Sequence, residues 1–567
     1  MPFYFGRKLK INEEMLQLTK DMEAVSSVNT TKGEKNIGLF IEEYLRAIPY
    51  FKEHPKQVIV QTLKNDKLER RNVFALLLGQ KDKNSKTIIF HGHTDTVGVE
   101  DYGALSGYAF DCDGLAEQLK QNELSDEVKK DLESGEYLFG RGACDMKSGD
   151  AVFMVLLKEL SEHVDNLSGN ILLSLNPVEE NLHTGIIEGI EVIENLKEEY
   201  NLEYVLAINN DYTCPMYPGD KHHYIYTGVG GKLLPCFYIQ GRETHVGQCF
   251  EGYDPTTVMA ELIKELNLNP EYSDSYEGEY ALPPTLLKSK DLKGWYNVQT
   301  AKEALVYFNY FVLNSDVRDI TKKLVTAGDK AIRRATADLN IKYKAYCEKS
   351  GKDFQQIKNS WFVMSYEDLY QMVKNQDESI DKILAEETVK LQEAGVDKRE
   401  IPVSYIRMLL ARANIYHPVV VLYYATPYCP HNTLKKDDET VDKLGEILKT
   451  VEKEYNITYK MDGFFPSLSD SSYLSLDDSM ESIATLKQNF PQMQQLYPLP
   501  LEKIKKLNIK AVNFGVYGKD AHKSTERLQI PYSFGVLPEL ILKTMEDFLD
   551  VCYKWNGRIE KGFGFKT

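Results

Sequence analysis

Short runs of apolar, β-prone residues alternate with helix-period stretches through the first third of the chain. Thr87 to Phe90, Ile171 to Leu175 and Tyr204 to Ile208 each read as a buried strand. Between the first two, Val152, Phe153, Val155, Leu156, Leu157 and Leu160 recur at helical spacing, so the rhythm is βαβ and predicts a sheet covered by helices. From about residue 229 the pattern changes. Strand-like pieces, Leu233 to Gln240 and Ala304 to Phe311, are separated by long charged helical stretches. Asp254 and Pro255 open one helix with a cap and a first-turn proline, and Val258, Met259, Leu262, Ile263 and Leu266 form its apolar stripe. Two more helices are predicted near Thr321 to Leu339 and Glu378 to Gly395. The α/β rhythm returns after Val419 to Tyr424, with a helix over Glu439 to Tyr455 and a strand over Ala511 to Phe514. The expected organisation is an α/β domain in two parts, 1–228 and 426–567, interrupted by an inserted domain over 229–425.

With 43% hydrophobic and 27% charged residues, the 567-residue chain has the composition of a globular protein and not of a disordered one. Its formal charge of −17 argues against a nucleic-acid partner, which would need a broad basic footprint. No window approaches the ~18 consecutive apolar residues of a membrane span, so no membrane partner is expected. The start, MPFYFGRKLKINEEM, lacks the apolar stretch of a secretory signal. Eight scattered cysteines without CxxC pairs read as reduced thiols, and a cytoplasmic location is expected.

Four polar clusters lie where predicted strands end or helices begin, the edge at which open α/β sheets usually bind ligands. His91-Gly92-His93-Thr94-Asp95 follows the first strand; its HxD pair is either a metal ligand beside the residue that orients it or a capping turn. Gly140 to Gly149, GRGACDMKSG, is not a phosphate loop, because Met146 stands where that pattern needs a glycine before Lys147. Asp145 within it either reaches a metal or sits near a helix N-terminus for dipole reasons. Glu179 and Glu180 are adjacent carboxylates that repel unless a cation or a shared proton intervenes, so one ligand and one general base is a use for the pair, with a solvated turn as the alternative. Asp211, in Asn209-Asn210-Asp211-Tyr212-Thr213, is a strand-end carboxylate or an ordinary turn former.

Two histidines complete the inventory: His245 in GRETHVG and His522 in GKDAHKSTE. Singly, each reads as a hydrogen-bonded loop residue. His54, His91, His163, His183, His222, His223, His417 and His431 have no comparable setting and read as surface or packing residues. A joint set of His, Asp, Glu, Asp and His without thiolates suits zinc or a similar divalent ion, and one carboxylate can bridge two such ions ~3.5 to 4 Å apart.

HGHTDTV, GRGACDMKSG, PVEE, NDYT, GRETHVG, SDSSYL around Asp470 and HKSTE occur in that order across nearly the whole chain. In this the sequence resembles the M20 family of co-catalytic zinc peptidases and aminoacylases, which includes acetylornithine deacetylase, succinyl-diaminopimelate desuccinylase and carboxypeptidase G. The length and PYCPHN after VVVLYYAT resemble its arginine-utilisation branch. The resemblance implies an α/β fold with a zinc-peptidase-like mixed sheet flanked by helices, and an enlarged α+β lid or dimerisation-type domain over the insertion. It implies His93, Asp145, Glu180, Asp211 and His522 as ligands of two divalent ions, with zinc first and cobalt or manganese as alternatives, and Asp145 as the bridge. It further implies that Asp95 orients His93, that Glu179 is the general base and acid, and that His245 stabilises the oxyanion. Asp211 stands where some relatives carry Glu, and Ser148 replaces a usual glycine. The implied activity is hydrolysis of an N-acyl amino acid or short peptide related to arginine or ornithine, with a homodimer through the lid as an expected partner. The alternatives are a dipeptidase or aminopeptidase of the same family, or a binding protein that keeps the metal site without turnover.

Overall fold

The computed structural model describes residues 3–358 and 360–555. The chain forms two compact units. Unit 1 comprises the segment up to Val229, Asn432–Leu476 and the segment from Pro500; unit 2 comprises Gly230–His431 and Asp477–Leu499. Beyond a one-residue shift of the first boundary, the division departs from the pattern-based one in two ways. The second crossing falls after His431, and Asp477–Leu499, which periodicity assigns to the α/β part, belongs to unit 2. The reason is packing: the helix Met480–Asn489 buries Ile483 and Leu486 and packs against the helix Val317–Ser350 and the strand Val419–Tyr424 of its own unit.

Unit 1 is built on an eight-stranded mixed sheet. In chain order its strands are β1 (Val58–Thr62), β2 (Arg71–Leu78), β3 (Lys86–His93), β4 (Asn170–Asn176), β5 (Glu203–Asn209), β6 (His222–Tyr226), β7 (Thr458–Asp462) and β8 (Ala511–Asn513). Their spatial order is β7-β6-β8-β5-β3-β4-β2-β1. β3 pairs in parallel with both β4 and β5, and β8 runs parallel to β5, so the carboxyl ends of four neighbouring strands share one edge. Central parallel strands are covered on both faces, which is why they read as continuous apolar runs without alternation. α1 (Lys147–Ser161), buried along nearly its whole length, joins β3 to β4, and α2 (Thr184–Glu199) joins β4 to β5. Phe90 of β3 stacks on Phe153 of α1 with ring centroids 4.5 Å apart.

Unit 2 has its own sheet, ordered Gly231–Leu233, Glu303–Val312, Pro235–Gln240, Val419–Tyr424 and Phe362–Ser365, with Thr285–Asp291 also paired to Glu303–Val312. The helix Pro255–Leu266 starts as expected, with the Asp254 side chain accepting from the Thr256 N–H and proline in the first turn. The helix predicted near Thr321 to Leu339 runs from Val317 to Ser350 and ends at Gly351, φ +67°. Its second half escaped the pattern because it has no apolar stripe: beyond Ala335 only Cys347 is buried. No helix among the described residues is long and apolar enough to cross a membrane.

One buried charge cluster of unit 1 has a consequence for stability. Glu23, fully buried, accepts a hydrogen bond from the Cys112 thiol, and a Cβ at Gly140 would stand 1.7 Å from its carboxylate oxygen, so only glycine admits it there. Burial pushes the Glu23 carboxyl up to about 8 from the ordinary 4.5, and pushes the nearby Lys147 ammonium down to about 8. The folded state therefore holds a proton on Glu23 that the unfolded chain releases. This contribution to stability is fully present below pH 4.5 and is lost as the pH rises towards 8. Glu34 and Glu526, each pushed up by burial to about 7, act in the same direction. Glu23→Gln is expected to flatten the fall of Tm between pH 5 and 8, measured by thermal unfolding across that range; an unchanged slope would remove Glu23 as its source.

Candidate metal centre

The shared carboxyl edge of β3, β4 and β5 positions the predicted residues. His93 is the last residue of β3, Glu179 and Glu180 follow β4, and Asp211 follows β5. Asp145 stands in the turn that ends at α1, and the Asp145–Met146 peptide is cis. His522 lies in the tight turn after the short strand Gly518–Lys519, with φ +63°.

These side chains meet in two groups that share one member. His93, Asp145 and Asp211 offer ligand atoms all within 4.8 Å of one another, and so do Asp145, Glu180 and His522. His93 Nε2 is 3.1 Å from Asp145 Oδ1, while His522 Nε2 is 3.0 Å from Asp145 Oδ2 and 2.9 Å from Glu180 Oε1. Each oxygen of Asp145 thus faces a different imidazole. Glu179 groups with His93 and Glu180 in a third set.

The electrostatics are those of a site that wants positive charge. Burial drives the Asp211 carboxyl well above its usual range, reinforced by the charge of Asp145. Burial does the same to Glu179 and raises Glu180, with opposition from His93 in both cases. Asp145 goes the other way: burial would raise it, but hydrogen bonds from His522 and His93 hold it well below. Burial alone would depress His93, yet its hydrogen bond to Asp145 and the charges of Glu179, Asp145 and Asp95 raise it well above the imidazole range. Hydrogen bonds to Asp145 and Glu180 push His522 up to about 11. Four carboxyl groups this close cannot all ionise without a counter-charge, and the imidazolium groups supply only part of it. The donor set of nitrogens and carboxylate oxygens without sulfur therefore fits hard or borderline divalent cations.

Local geometry shows how the candidate ligands are aimed. Asp95 presents its backbone carbonyl, not its carboxylate, to His93: the carbonyl oxygen is 3.1 Å from Nδ1, whereas Oδ1 is 3.8 Å away. The Asp95 carboxylate instead accepts the backbone N–H groups of Glu179 (3.0 Å) and Glu180 (3.1 Å) and the Asn29 amide (2.9 Å). Val178 has φ +75°, a conformation that costs a β-branched residue roughly 1 to 3 kcal/mol. Asp211 accepts from the Tyr212 N–H, and the Asn513 amide holds its carbonyl at 2.9 Å. His245 lies in unit 2, exposed, at the start of the short turn Val246–Gln248, where Nδ1 accepts from the Gly247 N–H.

The fold brings in two residues that no local pattern marks. Glu526, the last residue of HKSTE, accepts the backbone N–H groups of Gly142 (2.9 Å), Cys144 and Asp145 (3.4 Å each) and pairs with the buried Arg141 at 2.6 Å, so it shapes the turn that carries Asp145. His183, read as a packing residue, forms a buried group with Glu179 and Asp470. Its spacing four residues after Glu179 was the one available signal. His91, by contrast, is fully buried, with burial lowering its imidazole to about 4, and it joins none of the ligand groups found among the described residues.

The sequence model of peptidase family M20/M25/M40 matches residues 89–486, a span that holds every ligand candidate except His522. The chain belongs to this family. The M20 protein is 39% identical over 537 residues to protein RocB of Bacillus subtilis (strain 168), which covers 94% of each chain. It is 27% identical over 224 residues to a succinyl-diaminopimelate desuccinylase of Cupriavidus necator, spanning 39% of this chain and 51% of that one. In structure it is similar to human carnosine dipeptidase 1, with a TM-score of 0.52 at 11% identity over 95% of this chain and 97% of that one, a likeness of fold. As an M20 member it is a metallohydrolase of the peptidase and deacylase kind, acting on carbon–nitrogen amide bonds.

Proposed function

We propose that this protein hydrolyses the amide bond of an N-acyl amino acid or short peptide whose amino-acid part is related to arginine or ornithine. The observation that carries the chemistry is the position of Asp145, one oxygen facing each of two ligand groups, with Glu179 beside them. Two divalent ions, zinc by donor type, would be held by His93, Asp211 and Asp145 on one side and by Glu180, His522 and Asp145 on the other. When bound they supply Lewis-acid polarisation of the scissile carbonyl and a nucleophilic water near neutral pH.

The chain's own groups do the rest. Asp95 holds the backbone of the Glu179–Glu180 turn and, through its carbonyl, the His93 ring, so base and ligand keep a common frame. Glu179, buried and raised above the usual carboxyl range, accepts the proton of the attacking water on a carboxylate oxygen and returns it to the leaving nitrogen. His245 is assigned the oxyanion, and the lid a homodimer contact, on family resemblance alone.

The arginine- or ornithine-related amino acid rests on resemblance to the arginine-utilisation branch, and the net charge of −17 is compatible with a cationic substrate. The test is a mass-spectrometric product screen of zinc-loaded protein against N-acyl amino acids and dipeptides weighted toward arginine and ornithine. Release of a free basic amino acid from an N-acyl substrate supports the reading. Cleavage confined to dipeptides of neutral residues would replace it with a dipeptidase, and a metal-loaded protein that cleaves nothing would favour a binding protein.

A further inference from the structure

The third ligand set, in which Glu179 groups with His93 and Glu180, poses a problem for the proposed mechanism, on which this inference rests. A carboxylate that close to ligand atoms is competent to bind the cation itself, and a coordinated Glu179 would no longer be free to take a proton. Something must hold it off. On its other side Glu179 meets His183 and Asp470, a group with no ligand of either shared-aspartate set.

We propose that His183 and Asp470 are a positioning pair that keeps the Glu179 carboxylate turned away from the cations and available for proton transfer. His183 Nδ1 donates to Asp470 Oδ1 at 2.8 Å and stands 3.9 Å from Glu179 Oε1, beyond hydrogen-bond range but close enough to attract the carboxylate. All three are buried: His183 is 1% exposed, Asp470 3% and Glu179 8%. Such a contact is poorly screened by solvent.

The backbone is shaped to the same end. The loop from Val178 to His183 is closed by the His183 N–H donating to the Val178 carbonyl at 2.8 Å, and both of these residues have positive φ. Histidine is among the residues that tolerate this region, whereas a β-branched valine seldom enters it. Two residues after His183, a Cβ at Gly185 would stand 2.2 Å from the Pro177 carbonyl, so glycine is what lets the first turn of α2 close over the loop. Asp470 is fixed independently. The preceding Ser469 caps its short turn and accepts from the Asn209 amide at 2.8 Å, at the end of the strand that leads to Asp211. The His183 ring also lies 5.3 Å from that of Tyr473 in the same turn. Glu179 therefore lies between Asp95, which accepts from its backbone N–H, and a histidine anchored to another segment that faces its carboxylate at 3.9 Å.

The experiment compares kcat, KM and metal content for wild type, His183→Gly, His183→Asn, Asp470→Asn, Glu179→Gln and the Glu179→Gln/His183→Gly double variant. Glycine removes the ring without strain at positive φ, and asparagine keeps both the backbone preference and a donor near Nδ1. The expected result is a ~10- to 100-fold lower kcat in His183→Gly, the scale of a lost orienting partner, with metal content and KM near wild type. His183→Asn should recover most of it, Asp470→Asn should fall between, and the double variant should be no slower than Glu179→Gln alone. The His183→Gly loss should also shrink for substrates whose leaving group needs no proton. Wild-type kcat in His183→Gly while Glu179→Gln is inactive would overturn this inference alone, and so would activity lost in proportion to metal. Full turnover in Glu179→Gln would overturn the general-base reading and this inference with it.

Discussion

Glu179→Gln is expected to keep its metal and to lower kcat by ~10²- to 10⁴-fold, the range of a general acid and base. The substitution preserves shape and removes the ability to take a proton. The backbone N–H of Glu179 still donates to Asp95, so the turn that carries Glu180 stays in place. Neither shared-aspartate group loses a member. Metal analysis beside steady-state kinetics gives the result: metal retained with turnover lost assigns the proton transfer to Glu179, metal lost with turnover makes it a ligand, and full activity removes it from the mechanism.

The second large effect is expected at Asp145. Asp145→Asn leaves one oxygen where two now face His93 and His522, and replaces the other with a donor that repels a cation. Both ligand groups contain this residue, so both should weaken. Metal content should fall to about half or less, and kcat/KM by at least ~10²- to 10³-fold, the scale of removing a preorganised electrostatic contact. His522→Ala should instead spare the His93 and Asp211 group and lose metal only in part. If Asp145→Asn holds as much metal as wild type and turns over normally, Asp145 is not the shared ligand. The metal-free protein offers a second readout: the substitution removes the first of the two carboxylates that raise His522 to about 11, so that imidazole should titrate at lower pH by NMR.

Much of the candidate site was legible because β3, β4 and β5 are buried parallel strands. Their apolar runs stop where solvent or a ligand begins, so His93, Glu179, Glu180 and Asp211 stand out as polar residues at the ends of those runs. The role of Asp95 was less legible. Its place two residues after His93 suggested a carboxylate on the imidazole, whereas its backbone meets the ring and its carboxylate serves the next strand's turn, a choice made by side-chain geometry that spacing does not encode.

The sequence by itself determined the α/β rhythm, the helix caps such as Asp254 and the residue types at each strand end, because these depend on periodicity and on neighbours a few positions apart. Only the tertiary structure decided which of those ends converge. It brought Asp470 to His183 across 287 positions, set Glu526 under the turn of Asp145, and assigned Asp477–Leu499 to unit 2. Contacts of that kind form only when long loops close around a packed core. Their selection lies in the shape of that core and in the need to satisfy buried charge, neither of which leaves a local pattern along the chain.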